Sequence, residues 1–593
     1  MAQDTVVARL FARAENTPNK PAYYTRTGGT WVASNWATYA GTSRKVARAL
    51  ITLGFNAGDR VCILGFNRPE WVLMDVGAMA AGGVPAGIYT TSSPTEIQYI
   101  AGHTECPVIL VEDHSQWNKV KEVRDQLPAL KHVVLMDGAA PIDDDMVLTW
   151  DEFLAKAEET PEAELDARVD ALKLEDLATL IYTSGTTGPP KGVMLSHENL
   201  AWTADVAVKL VSYAEGDRTV SYLPLSHIAE QMFTIHAPIT GGGRVYYAES
   251  IEKLRDNLVE VQPHVVFGVP RIWEKFYAGV TGKLGDAPPL RQKIANWAMG
   301  VGRAASAVQN SGGTVGGLLG LQYRIADRLV YSKLKPALGL GEAKICVSGA
   351  APISAEVLEF FSGLDVNIRE VYGQSEDTGP TTFNQPGATR FGTVGPAVPG
   401  VEVKIAEDGE ILVKGKNVFL GYYKEPAATA DALDADGYLH SGDLGAFEGP
   451  FLRITGRKKD IIITAGGKNI TPKNIELDIK QKVALVGEAV VIGDRRKFLS
   501  CVISLDPEIS VEWAKEHGIE AAALASDARV RALVQAGIDE VNGHLAQVEK
   551  IKKFEILPRP LSIEDGELTP TLKVKRAKVS EHFADLIESM YAG

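Results

Sequence analysis

Several things are scarce in this sequence, and each shortage excludes something. Only four cysteines occur in 593 residues, Cys62, Cys106, Cys346 and Cys501, at no metal-ligand spacing. That excludes a disulfide framework and fits a reducing, cytoplasmic setting. No apolar run approaches the ~20 residues needed to cross a bilayer. Residues 72–89 are apolar, but Asp75, several glycines and Pro85 predict a packed helix-and-turn region there. Met1-Ala-Gln-Asp-Thr lacks a basic start leading into an apolar core, so no signal peptide is expected. Basic charge is in deficit: 61 Lys and Arg against 75 Asp and Glu leave a net charge of −14. That balance argues against general nucleic-acid binding.

What is present reads as a globular protein of more than one domain. Hydrophobic residues at 45% and charged residues at 23% are ordinary for such a chain. Its length exceeds the roughly 250–300 residues at which single cores stop growing. Strand-like runs alternate with helical ones, predicting an α/β fold. Helical spacing covers Thr42 to Leu53, and strands are expected at 60–65, 107–111, 132–136, 177–182, 218–223, 265–269 and 344–348. The acidic stretch 143–176 is expected to be a solvated connector. Short alternating runs at 401–405, 410–414 and 451–454 predict a β-rich section. The charged string Gly456-Arg-Lys-Lys-Asp460 follows, and a smaller α/β unit with strands near 489–492 and 501–504 ends the chain.

One loop dominates the chemistry: Tyr182-Thr-Ser-Gly-Thr-Thr-Gly-Pro-Pro-Lys-Gly192. An apolar strand precedes it, and Ser196 is placed to cap a helix after it. Glycines allow backbone N–H groups to approach an anion, hydroxyls add donors, and a lysine adds charge. Two prolines separate Gly188 from Lys191, so this is not the P-loop, which needs Lys directly after Gly.

The string resembles the phosphate loop of the adenylate-forming superfamily of acyl-CoA synthetases, adenylation domains and luciferases. Further strings resemble the same superfamily in the same order. The resemblance implies a large domain over 1–456, a hinge at 457–460 and a small mobile α/β domain over 461–593. It implies ATP phosphate contacts from Thr183, Ser184, Gly185, Thr186, Thr187, Gly188 and Lys191. Glu370-Val-Tyr-Gly-Gln-Ser-Glu376 is similar to the adenine and metal segment. That implies Tyr372 and Gly373 at the adenine, Ser375 at the α-phosphate and Glu376 on Mg²⁺. Where this chain has Ser375 the family more often has Thr, which keeps the hydroxyl. Gly349, Ala350 and Ala351 resemble the small-residue wall of the adenine pocket. Asp443 and Arg457 match the ribose contacts, and Lys459 matches the hinge. Pro224-Leu-Ser-His227 resembles the segment that places a histidine beside the carboxylate substrate.

Glu567-Leu-Thr-Pro-Thr-Leu-Lys-Val-Lys-Arg576 resembles the mobile loop that carries the catalytic lysine, which implies Lys573. Relatives mostly have Gly before that lysine. Leu572 stands here instead, so Lys575 stays open as an alternative. Val269-Pro-Arg-Ile-Trp273 is similar to the long-chain fatty acyl-CoA synthetases, in which a tryptophan gates the acyl tunnel; by that likeness the gate is Trp273. The implied reaction joins a fatty acid to coenzyme A through an acyl-adenylate, with ATP and Mg²⁺. The alternatives are another acid, a carrier-protein thiol as acceptor, or a non-catalytic acyl-binding scaffold. Intact Lys191, Glu376, Asp443 and Lys573 argue against the scaffold.

Residues 291–335 hold seven Lys and Arg against the single acid Asp327. This suggests a peripheral membrane-facing patch with Trp297, Leu318 and Leu319 as apolar contacts; a solvated helix pair is the alternative. Oligomeric state and chain-length preference stay open.

Overall fold

The protein is described by a computed structural model that covers residues 3–183, 189–465, 468–569 and 571–592. Its centre is an eight-stranded sheet. In spatial order the strands are Gly421–Tyr422, Lys191–Ser196, Leu177–Thr183, Val84–Ile88, Arg60–Leu64, Val108–Val111, His132–Leu135 and Val147–Leu148. The strands from Leu177–Thr183 to Val147–Leu148 run parallel, and the first two are antiparallel additions. Runs such as Val-Ile-Leu-Val over 108–111 are buried throughout, as strands covered on both faces must be. A second sheet joins Arg218–Ser221, Arg244–Tyr247, Pro21–Thr27 and Thr30–Asn35. A third joins Val265–Gly268, Ile345–Ser348, Ile368–Tyr372 and Thr382–Phe383.

The expected β-rich section is an antiparallel sheet of Val401–Ile405, Glu410–Gly415, Leu439–Glu448 and Phe451–Arg457. The C-terminal part has its own sheet, Val486–Ile492, Leu499–Leu505 and Ile551–Ile556, against helices Pro472–Lys482 and Ala528–His544. Its core is separate, drawn from Ile475, Ile479, Val491, Ile503, Val534 and Ile538. The architecture is therefore α/β, with a large N-terminal and a smaller C-terminal domain.

Two expectations need correction, and one strand was not expected. Between the loop and the helix that Ser196 caps, the chain returns as strand Lys191–Ser196, paired antiparallel with Leu177–Thr183. The continuous apolar run Val193-Met194-Leu195 fills that strand. Ser196 does cap the next helix, His197–Leu210, accepting from the Asn199 N–H at 3.1 Å. The two strands that flank the loop, Leu177–Thr183 and Lys191–Ser196, form a hairpin pair. The acidic segment 143–176 is not a bare connector: it contains helices Trp150–Ala155 and Glu162–Ala171, with Trp150 and Phe153 buried. Its acids are held by Arg44 and Arg48 through Glu162 and Asp166. Finally, the 72–89 region contains the helix Pro69–Ala80 and then a central strand, Val84–Ile88, despite Pro85.

Candidate active site

The loops that leave the C-terminal ends of three strands converge with the β-rich sheet. This is where open α/β sheets bind ligands. Strand Leu177–Thr183 leads into the hydroxyl-rich loop, of which Ser184, Gly185, Thr186, Thr187 and Gly188 lie outside the described residues. Its two ends are fixed: Thr183 pairs with Lys191 across the hairpin. Lys191 then places its ammonium 4.6 Å from the centre of the Tyr422 ring. The Tyr422 hydroxyl donates to Glu376 at 2.8 Å. Burial, and next the Glu376 carboxylate, keep that phenol protonated. Lys191, Tyr422 and Glu376 therefore form one continuous line from the loop to the end of strand Ile368–Tyr372.

That strand ends in a turn that demands glycine. A Cβ on Gly373 would sit 1.3 Å from the Gly379 carbonyl oxygen, so no other residue fits. Ser375 is buried and Glu376 half-buried. Beside them, strand Ile345–Ser348 opens into Gly349-Ala350-Ala351, with Gly349 buried and the two alanines exposed. Ala350 has a φ of 67°, a left-handed backbone uncommon outside glycine.

Asp443 is the most heavily coordinated carboxylate of the site. One oxygen accepts from the Tyr372 hydroxyl at 2.9 Å and from Gln374 Nε2 at 2.5 Å; the other accepts from Arg457 Nε at 2.9 Å. Register explains the last contact, because Asp443 and Arg457 are direct cross-strand partners. A carboxylate offers about four acceptor positions, so room is left for one more donor.

His227 caps a short helix, its Nδ1 accepting from the Ala229 N–H at 3.2 Å. The ring proton therefore resides on Nε2. Burial, with the charge of Lys573 beside it, lowers the His227 pKa to about 4, so the ring is neutral at physiological pH.

Lys573 arrives from the other end of the chain. Its residue remains solvent-exposed, yet surrounding protein and then the Arg457 guanidinium lower its pKa below the ordinary lysine value. Asp443 and Glu376 act on it in the opposite direction. Lys573 is the lysine whose charge reaches this cluster. Lys575 instead begins helix Arg576–His582, its backbone N–H bonded to the Glu567 carbonyl at 2.7 Å. Leu572, where a glycine was expected, has a φ of 60°. The loop thus keeps a glycine-like conformation at a cost of about 1–2 kcal/mol.

Trp273 lies away from this cluster, fully buried at the start of helix Pro270–Gly285. Its indole N–H is shared between the carbonyls of Gly268 at 3.2 Å and Val347 at 3.3 Å. Lys459 is exposed in the turn Lys458–Asp460. Sequence reasoning missed Tyr422, which has no motif of its own, and gave no role to Gln374 although it lies within the string Glu370–Glu376; the folded sheet brings them to Glu376 and Asp443.

Comparison with known proteins shows the family. The family model for AMP-binding enzymes matches residues 10–423, and that for the AMP-binding enzyme C-terminal domain matches 459–593. The chain belongs to the AMP-binding enzyme family. This AMP-binding enzyme is 38% identical to the long-chain-fatty-acid–CoA ligase ACSBG2 of Xenopus laevis, over 97% of this chain and 83% of that protein. It is also 38% identical to ACSBG1 of Mus musculus, a ligase of the same name, over 95% of this chain and 82% of the mouse protein. Among solved structures, the adenylation domain of a carboxylate reductase from Mycobacterium chelonae superposes with a TM-score of 0.75 at 22% identity, covering 99% of this chain and 91% of that one. ATP-bound MatB from Rhodopseudomonas palustris superposes with a TM-score of 0.70 at 24% identity, covering 99% of this chain and all of MatB (100%). At such identities these two speak for the fold alone.

Proposed function

We propose that this AMP-binding enzyme ligates a long-chain fatty acid to coenzyme A through an acyl-adenylate, consuming ATP and releasing pyrophosphate and AMP. The observation that supports the chemistry is that the charge of Lys573 is felt by His227, and that Arg457, Asp443 and Glu376 act on Lys573 in turn. The names of the relatives, at 38% identity over nearly the whole chain, support the choice of acid and thiol.

In the first half-reaction the fatty carboxylate attacks the α-phosphorus of ATP, a P–O bond forms, and pyrophosphate leaves. Neutral His227 donates its Nε2–H toward the carboxylate and orients it. Lys573 sits where negative charge accumulates between acid and α-phosphate, a preorganised stabilisation that is often the largest catalytic term. Thr183, Ser184, Gly185, Thr186, Thr187, Gly188 and Lys191 enclose the leaving phosphates, with Ser375 at the α-phosphate. Asp443 accepts from the ribose hydroxyls, steadied by Arg457, while Tyr372, Gly373, Gly349, Ala350 and Ala351 enclose the adenine. In the second half-reaction the coenzyme A thiol attacks the acyl carbonyl and AMP leaves. One placement of the small domain cannot serve both steps, so residues 461–593 turn about 457–460, with Lys459 in the hinge. Separate cores on either side, and two family models that break between 423 and 459, support that division.

Glu376 is the residue that would hold Mg²⁺. Among the described residues no group of three or more His, Cys, Asp or Glu could cage a metal alone. One carboxylate, with phosphate oxygens and waters completing the shell, fits the way Mg²⁺ is usually held. When bound, the ion neutralises charge on the polyphosphate. Trp273 is read as the acyl gate in its closed position: a path past it must give up both indole hydrogen bonds.

The 291–335 segment supports peripheral contact with an anionic membrane. Leu318, Leu321, Ile325 and Leu329 recur at helical spacing and are 72%, 50%, 44% and 47% exposed. Arg291, Lys293, Arg303, Arg324, Arg328 and Lys333 form no ion pair among the described residues, whereas Lys335 is held by Asp365 at 2.9 Å. Apolar residues flanked by unpaired cations suit an anionic lipid surface. No helix among the described residues is long and apolar enough to cross a membrane. Flotation with vesicles that is independent of anionic lipid content removes this part of the reading.

ATP–pyrophosphate exchange across acids of different length and shape, with and without coenzyme A, tests the function. Exchange that peaks with long-chain acids, together with thioester formation on coenzyme A, is expected. Exchange without any coenzyme A ester supports a carrier-protein acceptor, and no exchange with any acid supports a binding protein.

A further inference from the structure

Among the described residues, the side-chain ion pairs between the two domains run from one helix. Among the described residues, two ion pairs join residues 3–456 to residues 461–592. Arg271 Nη2 lies 3.2 Å from Asp506 Oδ2, and Lys275 Nζ lies 3.0 Å from Glu508 Oε2. The two cations stand one turn apart on helix Pro270–Gly285, so they share a face. Trp273, two residues from each, projects from the other side into the core of the large domain.

The small-domain partners are built to receive them. Asp506 caps helix Pro507–His517: its Oδ1 accepts from the N–H groups of Glu508 and Ile509 at 2.9 and 3.0 Å. That leaves Oδ2 aimed outward at Arg271. Between the two cations Glu274 feels the charge of Lys480, which is itself paired with Glu488 at 2.7 Å. The large-domain face therefore sets Arg271 and Lys275 against the carboxylates of Asp506 and Glu508, while Lys480 and Glu488 act on Glu274 in opposite directions.

We infer that Arg271 and Lys275 are positioning residues for acid activation: through Asp506 and Glu508 they hold the small domain where Lys573 reaches the reacting atoms, and they release it for the thiol step. This rests on the acid–thiol ligase reading given above. The strength of the ties suits the role. Lys275 and Glu508 are both exposed, and Arg271 is open to solvent against a largely covered Asp506, so each tie is modest and screened by salt. A contact broken in every cycle must be cheap to break, yet two of them shift a docking equilibrium measurably. The same helix seats Trp273, so undocking also frees the outer face of the element that carries the proposed gate.

The test uses Lys275→Glu, Glu508→Lys and their combination, because neither residue caps a helix or touches substrate. Spin labels on cysteines introduced at Lys283 and Glu516, both exposed, report the docked fraction by pulsed electron–electron distance measurement without requiring activity. Each single variant is expected to lose docked population and to slow ATP–pyrophosphate exchange by about threefold to tenfold. Thioester formation from supplied acyl-adenylate should be unchanged or faster, and the charge-swapped double variant should recover both docking and exchange. An unchanged distance distribution in both single variants overturns the inference. So does a double variant that fails to recover, or an equal slowing of both half-reactions. If the unmodified enzyme exchanges no pyrophosphate with any acid, the ligase reading fails, while the distances still decide whether the ion pairs hold the domain.

Discussion

Replacing Lys573 by alanine should separate the two half-reactions. Lys573 brings one positive charge into a cluster that already holds Arg457, with Asp443 and Glu376 opposing. Removing one preorganised donor from a transition state typically costs about 2.7–4 kcal/mol, a loss of roughly a hundredfold to a thousandfold in rate. Arg457 and Lys191 remain in the variant, which places the expectation toward the lower end. Lys573→Ala is therefore expected to slow ATP–pyrophosphate exchange by at least about a hundredfold. Thioester formation from supplied acyl-adenylate should stay within about threefold, since the second step uses another placement of the small domain. Lys575→Ala is the control. Its structural contact is through the backbone N–H, which alanine keeps, so exchange should change by less than about twofold. A Lys573→Ala enzyme that exchanges normally, or one that loses both half-reactions equally, refutes the reasoning.

Other residues make equally specific predictions. Asp443→Asn removes the partner of Arg457 and a charge-assisted acceptor worth about 1.5–3 kcal/mol, so kcat/KM for ATP should fall roughly tenfold to a hundredfold with the fold intact by circular dichroism. Trp273→Ala opens a core cavity and should cost about 3–5 kcal/mol of stability in denaturant titration, while relaxing the dependence of kcat/KM on acyl chain length. Asp75 is fully buried with neither oxygen bonded, and burial raises its pKa to about 8. Its folded-state pKa lies above the unfolded one near ~3.9, so folding takes up a proton between those values and stability falls as pH rises. Asp75→Asn should remove that slope, raising Tm relative to the parent at pH 8 more than at pH 5.

What was legible in the sequence was local. Ser196 as a cap and a β-rich section after residue 390 both follow from short-range rules, and the structure shows both. What escaped was decided by tertiary packing. Pro85 marks a strand break by propensity, yet Val84–Ile88 lies between two parallel partners in a fully buried sheet. The strand Lys191–Ser196 was not expected between the loop and the helix, and pairing with Leu177–Thr183 decides it. Acids at 162 and 166 look solvated until Arg44 and Arg48, more than a hundred residues away, are placed against them. Tyr422 and Gln374 became visible only through their distances to Glu376 and Asp443. Leu572 looked like a departure from the family pattern, and its left-handed backbone, which favours glycine, could not be read from the sequence.

Oxygen-18 in the carboxyl group of a long-chain fatty acid gives the most direct test of acid activation at the α-phosphorus. Turnover with ATP and coenzyme A should yield acyl-CoA, pyrophosphate and AMP carrying one heavy oxygen from the acid. Unlabelled AMP, or ADP and phosphate as products, would contradict the account.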